Sequence, residues 1–239
     1  MDLKESNLIS EDIDNHWYYF SKANALVDYV GKINHISALD IGSGSGFFSK
    51  FLLRNTDLRD VWCCDINYHE SQDVDYLGKK IYFRKSVGEI SVDLILLMDV
   101  LEHIDDDLEF LKNYVSRSKK GTKFLISVPA FMFLWSQHDV FLEHKRRYRI
   151  KNLNLLVEAS GLEIVKSTYF FSLVFPLAVF IRIISKIFKH SKTDIKSDLR
   201  KHSKLTNKLL KVLCYFDRRY IFAHNRFAGL SIFCLAEKK

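Results

Sequence analysis

The spacing of apolar residues along the chain switches repeatedly between a helical and an extended period. Residues 15–30 carry aromatic and aliphatic side chains at helical spacing and stop at Gly31, which predicts an N-terminal helix. Residues 36–41 are a short apolar run entering a glycine-rich turn, and 47–53 resume the helical period, so the order is strand, glycine loop, helix. The alternation continues with strands over 61–64, 81–83 and 92–98, the last apolar throughout, as the middle of a parallel sheet requires. A helix is predicted over 105–115, then a strand over 123–128 stopped by Pro129. A helix over 151–160 ends at Gly161, and strands follow over 163–169 and 230–236.

Seven strands alternating with helices define an α/β chain: a doubly wound, mostly parallel, seven-stranded sheet covered on both faces, with right-handed crossovers. The interval 170–225 breaks the rhythm and is too long for a structureless loop in a compact domain. It is predicted to be a helical insertion or lid before the last strand, within one domain spanning 1–239.

Composition adds boundaries. With 48% hydrophobic and 27% charged residues the chain is a folding, not a disordered, sequence. Cys63, Cys64, Cys214 and Cys234 show neither Cys-x-x-Cys nor paired-His spacing, so they read as buried small hydrophobes and no metal is expected. The acidic, polar start lacks the basic residues and apolar stretch of a secretory signal, which points to a cytoplasmic location.

Net charge is +7, and its placement matters more than its sum. From Arg182 to Lys211 ten Lys and Arg residues face only Asp194 and Asp198. The preceding run, 169–181, is uncharged and apolar but shorter than the ~20 residues that span a bilayer, and Pro176 interrupts it. Downstream, Leu205, Leu209, Leu213 and Phe216 recur on one helical face. The expected partner of this region is an anionic membrane surface on the inner face of the membrane, with a lid or a dimer interface as the alternative. Nucleic acid is disfavoured by the residues of the site itself, as follows.

The stretch Asp40-Ile41-Gly42-Ser43-Gly44-Ser45-Gly46 ends the first strand with an acidic residue and follows it with alternate glycines. Glycines let the chain turn sharply and let a ligand approach where a Cβ would stand. The spacing is not the Gly-x-Gly-x-x-Gly of dinucleotide enzymes. Asp65 ends the second strand, where a carboxylate can accept both hydroxyls of a ribose. The strand ending at Met98 breaks into Asp99-Val100-Leu101-Glu102-His103, at the crevice an open α/β sheet presents to its ligand.

These residues together resemble class I S-adenosylmethionine-dependent methyltransferases. The likeness narrows to a methyltransferase-domain group often associated with polysaccharide and glycolipid biosynthesis, through His16-Trp17-Tyr18-Tyr19-Phe20, His138-Asp139, His144-Lys145-Arg146-Arg147-Tyr148 and Gly229-Leu230-Ser231. The resemblance implies a Rossmann-like fold with S-adenosylmethionine as cofactor. Asp40, Gly42 and Gly44 would hold its methionine part within the loop that includes Ser43 and Gly46, Asp65 the ribose, Ile66 the adenine, and Met98 and Asp99 the sulfonium side. Lys22 stands where the group usually carries arginine, and Ser86 near where an aspartate is common.

For transfer to oxygen the acceptor must lose a proton, and histidine is the side chain that takes one near neutral pH. His138 is the candidate base and His144 the comparison, with Asp139 as a carboxylate that can orient a ring. The acceptor class implied is a small molecule, a glycan or a lipid-linked compound. The alternatives are an NAD-dependent oxidoreductase, which lacks a well-placed Tyr-x-x-x-Lys, and a non-catalytic module that keeps the cofactor fold. A nucleic-acid N-methyltransferase would resemble its class in an Asn/Asp-Pro-Pro-aromatic turn, which Asp99-Val100-Leu101-Glu102 does not match.

Overall fold

A computed structural model of the chain describes residues 13–31, 37–187 and 203–239. Strands β1 (Ser37–Ile41), β2 (Asp60–Cys64), β4 (Lys79–Arg84), β5 (Leu94–Met98) and β6 (Lys123–Pro129) run parallel to their neighbours in the centre of the sheet. β3 (Gln72–Tyr76), β7 (Leu162–Phe170) and β8 (Ser231–Lys238) are antiparallel to theirs. The order is β3-β4-β2-β1-β5-β6-β8-β7, so the last strand inserts between β6 and β7. Winding reverses between β1 and β5, which opens a crevice beyond their carboxyl ends.

The sheet therefore has eight strands, one more than the sequence predicts. The extra strand, β3, reads Gln-Asp-Val-Asp-Tyr and offers no apolar run because it lies on the edge, mostly in solvent. A two-residue turn returns it to β4, with Leu77 at φ 55° and Gly78 at φ 74°, the left-handed pair that suits the twist of a hairpin.

Helices cover both faces. On one lie α1 (Trp17–Val30) and α2 (Phe47–Asn55), packing Tyr19, Leu26, Phe48 and Leu52 against Phe170 and Phe233 of the sheet. On the other lie α3 (Asp107–Arg117) and α5 (Ile150–Ala159), with Leu111, Leu153 and Val157 against Ile95, Phe124 and Ile126. A short helix, α4 (Gln137–Phe141), precedes α5 in the loop after β6. All four cysteines are buried thiols, as their scattered spacing implies.

The interval between β7 and β8 contains α6 (Phe175–Ile187) and α7 (Lys204–Phe216). The basic residues Lys189, Lys192, Lys196, Arg200 and Lys201 lie outside the described residues. α7 packs along α1 through the buried Leu210 and Cys214. His16, at the N-cap of α1, makes no side-chain capping bond. Instead Asn207 of α7 accepts from the Trp17 backbone N–H at 2.8 Å and donates to the Asn15 carbonyl at 2.8 Å. The two helices thus fix each other. Of the predicted amphipathic stripe, Leu205, Leu209 and Phe216 are exposed while Leu213 is partly buried against the core.

Candidate active site

The crevice is built from the loops that follow β1, β2, β5 and β6. The glycine loop turns with Gly42 at φ 65°, and a Cβ there would meet Val100 Cγ2 at 2.8 Å. Glycine is therefore demanded twice, by conformation and by the approach of the β5 loop. The loop is also held from across the crevice: Gly44 N–H donates to Asp65 at 2.9 Å, and the Tyr68 hydroxyl bonds the Gly44 carbonyl at 2.5 Å and Ser43 Oγ at 2.9 Å. Nothing in the spacing of the sequence singles out Tyr68.

Asp65 is nearly buried, with one oxygen accepting from Gly44 and the other from the Asn67 N–H at 2.9 Å. Each carboxylate oxygen keeps a second lone pair, so the anchored group can still accept a pair of hydroxyls. Beside it Ile66 is 79% exposed at the crevice edge, an apolar surface where the resemblance places a flat adenine. Asp40 is buried and accepts from Ser49 at 2.6 Å. Burial first, and Asp65 nearby, push its carboxyl up to about 6 against the hydrogen bond from Ser49.

Asp99 follows β5 in the left-handed region, at φ 57°, which turns its carboxylate back toward α1. There it pairs with Lys22, whose Nζ lies 2.6 Å from Oδ1 and which also reaches the Tyr18 hydroxyl at 3.2 Å. Lys22 is wholly buried. Burial alone would lower its pKa, but the charge of Asp99 and the Tyr18 hydroxyl outweigh it and the ammonium is held protonated. Tyr18 stacks on Phe171 at 5.1 Å, so α1 holds a fixed cation over the end of β5. The departure from arginine thus keeps a positive charge at this position.

The loop after β6 presents the histidines. Asp139 is fully buried and accepts from the Ser136 N–H at 2.8 Å and from Arg147 Nε at 2.6 Å and Nη2 at 3.0 Å. It faces His144 Nδ1 at 2.9 Å. Burial opposes ionisation, but His144 and Arg147 hold this carboxyl well below the usual range. The ring that Asp139 orients is thus that of His144, while His138 sits half-buried on α4 with its backbone N–H bonded to Ser136 Oγ at 3.2 Å.

At the rim of this loop Phe131, at φ 59°, stacks on Tyr169 at 5.0 Å and touches Phe175 at the start of α6, 5.6 Å away. Met132 and Phe133 are exposed there, as are Leu177, Phe180 and Ile181 of α6. Asp217, buried at the end of α7, accepts from Ser172 Oγ at 2.8 Å and the Leu173 N–H at 3.1 Å and so pins the approach to α6. The apolar helix is thus fixed beside the loop that follows β6. No helix among the described residues is long and apolar enough to cross a membrane.

The glycine loop, the anchored Asp65 and the sheet that joins them are those of a nucleoside-cofactor transferase rather than of a dinucleotide enzyme. A methyltransferase-domain profile matches residues 16–167, and the chain belongs to that family. It is by family a class I S-adenosylmethionine-dependent methyltransferase, and S-adenosylmethionine is the cofactor the residues described above fit. Its sequence is 30% identical, over 112 residues, to the mitochondrial ubiquinone biosynthesis O-methyltransferase of Saccharomyces cerevisiae, a match covering 42% of this chain and 36% of the yeast protein. The fold is similar to that of the methyltransferase complexed with the Trm112 activator in Haloferax volcanii, with TM-score 0.59, 13% identity and coverage of 99% and 94% of the two chains. It is also similar to an S-adenosylmethionine-dependent methyltransferase of Archaeoglobus fulgidus, with TM-score 0.55, 17% identity and coverage of 97% and 98%.

Proposed function

We propose that the protein transfers a methyl group from S-adenosylmethionine to an oxygen of a small-molecule, glycan or lipid-linked acceptor, and that it does so from the surface of an anionic membrane. The observation that carries this reading is an exposed apolar rim, Met132 and Phe133 in the loop after β6 with Leu177 and Phe180 on the helix that packs against that loop. Such a rim suits an amphipathic acceptor. The yeast relative, by its name an O-methyltransferase of ubiquinone biosynthesis, supports transfer to oxygen.

The bound cofactor supplies the electrophilic methyl group. Asp65 would accept its ribose hydroxyls, Asp40 and the loop Gly42, Ser43, Gly44 and Gly46 would cradle the methionine part, and Ile66 would lie against adenine. Met98 and Asp99 would border the sulfonium end, with Asp99 held in place by Lys22. His138, the half-buried histidine of the loop, takes the acceptor's proton; Asp139 acts on His144 and so orders the loop. The exposed apolar residues of α6 and the exposed apolar and basic residues of α7 hold the crevice toward the bilayer on the cytoplasmic side.

Incubating the purified chain with methyl-labelled cofactor and separated lipid, glycan and RNA fractions tests the proposal. Label is expected in the lipid or glycan fraction, on a base-stable ether. Label confined to RNA, or to nitrogen, would overturn it.

A further inference from the structure

Two loops that follow neighbouring strands converge behind the sulfonium end of the crevice. The turn Leu101–His103 follows β5, and the segment that includes Asp139 and His144 follows β6. They are tied by the Lys145 N–H, which donates to the Glu102 carbonyl at 2.7 Å, and by Tyr148, whose hydroxyl bonds the Leu101 carbonyl at 3.2 Å. Between them Glu102 is completely buried, and neither carboxylate oxygen has a hydrogen-bond partner among the described residues. A buried carboxyl in that state needs either a proton or a cation.

The surroundings of Glu102 favour a cation. His144 Nε2 lies 4.0 Å from Glu102 Oε1, too far for a hydrogen bond, and the His103 ring stands edge-on to the His144 ring at 4.8 Å. The donor atoms of Glu102, His103 and His144 all lie within 4.8 Å of one another. His144 is held through its other nitrogen, since Nδ1 faces the buried Asp139 at 2.9 Å, and Asp139 is itself clamped by Arg147. With Nδ1–H donating to Asp139, the lone pair is on Nε2, the nitrogen nearer Glu102. A carboxylate behind an imidazole is how metal-bound histidines are oriented.

We propose that Glu102, His103 and His144 form a binding site for a divalent transition-metal ion such as Zn2+, Co2+ or Fe2+. Two imidazole nitrogens and one carboxylate oxygen suit these borderline ions and not Mg2+ or Ca2+, which take oxygen donors. Nitrogen and oxygen donors bonded at about 2.0–2.2 Å lie roughly 3–4 Å apart, so the set closes on an ion by contracting about an ångström. Three protein donors leave positions open. Asp99 is not available as a fourth, because Lys22 holds it. The inference stands on this geometry and not on the identity of the methyl acceptor.

Chelator-treated full-length protein titrated with Co2+ provides the test. Expected are saturation at one ion per chain, visible d–d absorption with the intensity of mixed nitrogen and oxygen donors, and displacement by Zn2+. Glu102→Gln and His144→Ala are expected to abolish the spectrum, and Asp139→Asn to weaken binding about 10–100-fold, as loss of an orienting carboxylate does. His138→Ala, outside the set, is expected to bind as the wild type does. Paramagnetic broadening of the His103 and His144 ring signals in the unaltered protein guards against variants that fail to fold. Wild-type protein that takes up neither Co2+ nor Zn2+ at micromolar concentrations, or that binds them without broadening these two rings, would overturn the proposal.

Discussion

Asp40 and Asp65 end adjacent parallel strands, yet burial and hydrogen bonding give them different chemistry. Among the described residues Asp65 receives two backbone N–H bonds and Asp40 a hydroxyl. Replacing Asp65 with Ala is expected to weaken S-adenosylmethionine binding more than tenfold, or about 1.4 kcal/mol, because charge-assisted bonds to the ribose are lost; unchanged affinity in calorimetry would remove Asp65 from the site. Asp40, raised to about 6 by burial, should make binding pH-dependent. A cofactor ammonium favours the ionised form, so affinity is expected to be constant above the raised value and to fall as pH drops through it. For folding the sign is opposite: a carboxyl raised above its unfolded value favours the folded state at low pH and loses that contribution as pH rises through about 6. Equal calorimetric affinities at pH 5 and pH 7.5 would contradict the assignment. For the base, His138→Ala is expected to lower kcat on the identified acceptor while leaving cofactor affinity intact. Wild-type turnover in that variant would rule His138 out.

At the scale of elements, the central strands and most helices were legible because they bury one or both faces and so impose a period on the sequence. β5 is apolar at every position and was unambiguous; β3, polar and on the edge, left no comparable pattern. The glycine loop was legible for a similarly local reason, since Asp40 and the alternate glycines Gly42, Gly44 and Gly46 fall within one short stretch of sequence. The Glu102 cluster was not, because it joins residues on separate loops through tertiary packing, and the Asp139–His144 pairing was not, because it depends on how the chain turns back within one irregular loop. The pairing of α7 with α1 was equally hidden, as Asn207 caps a helix start 190 residues away. One element junction explains a glycine that local pattern leaves unexplained. A Cβ on Gly229 would lie 2.2 Å from the Phe170 carbonyl oxygen, where the end of β7 meets the start of β8. Backbone cannot give way there as a side chain can, so Gly229→Ala is expected to destabilise by about 1–3 kcal/mol or more. For a chain of this size each kcal/mol lowers Tm by about 2–4 °C, and an unchanged melting temperature would show that the junction relaxes freely.

At the scale of the whole molecule, excess positive charge and exposed apolar residues fall in one interval of the chain. The net charge of +7 arises largely from the interval that also contains the apolar helix α6. Leu177, Phe180 and Ile181 are each more than half exposed, and on α7 Leu205 and Leu209 are exposed on the side away from Leu210 and Cys214. An apolar run followed in sequence by clustered lysines is what an anionic leaflet recognises, each basic residue near it adding about 1 kcal/mol at moderate salt. Because α7 also caps α1, removing the insertion would expose the core and test folding instead of docking. Surface substitutions avoid that difficulty. Leu177→Asp with Phe180→Asp changes exposed positions of α6 and is expected to leave cofactor affinity unaltered while abolishing sedimentation with anionic vesicles. The wild-type protein is expected to sediment with those vesicles in a salt-sensitive way and to remain in solution with neutral ones. Wild-type protein that stays in the supernatant with both would separate the apolar rim from membrane binding and leave it to the acceptor alone.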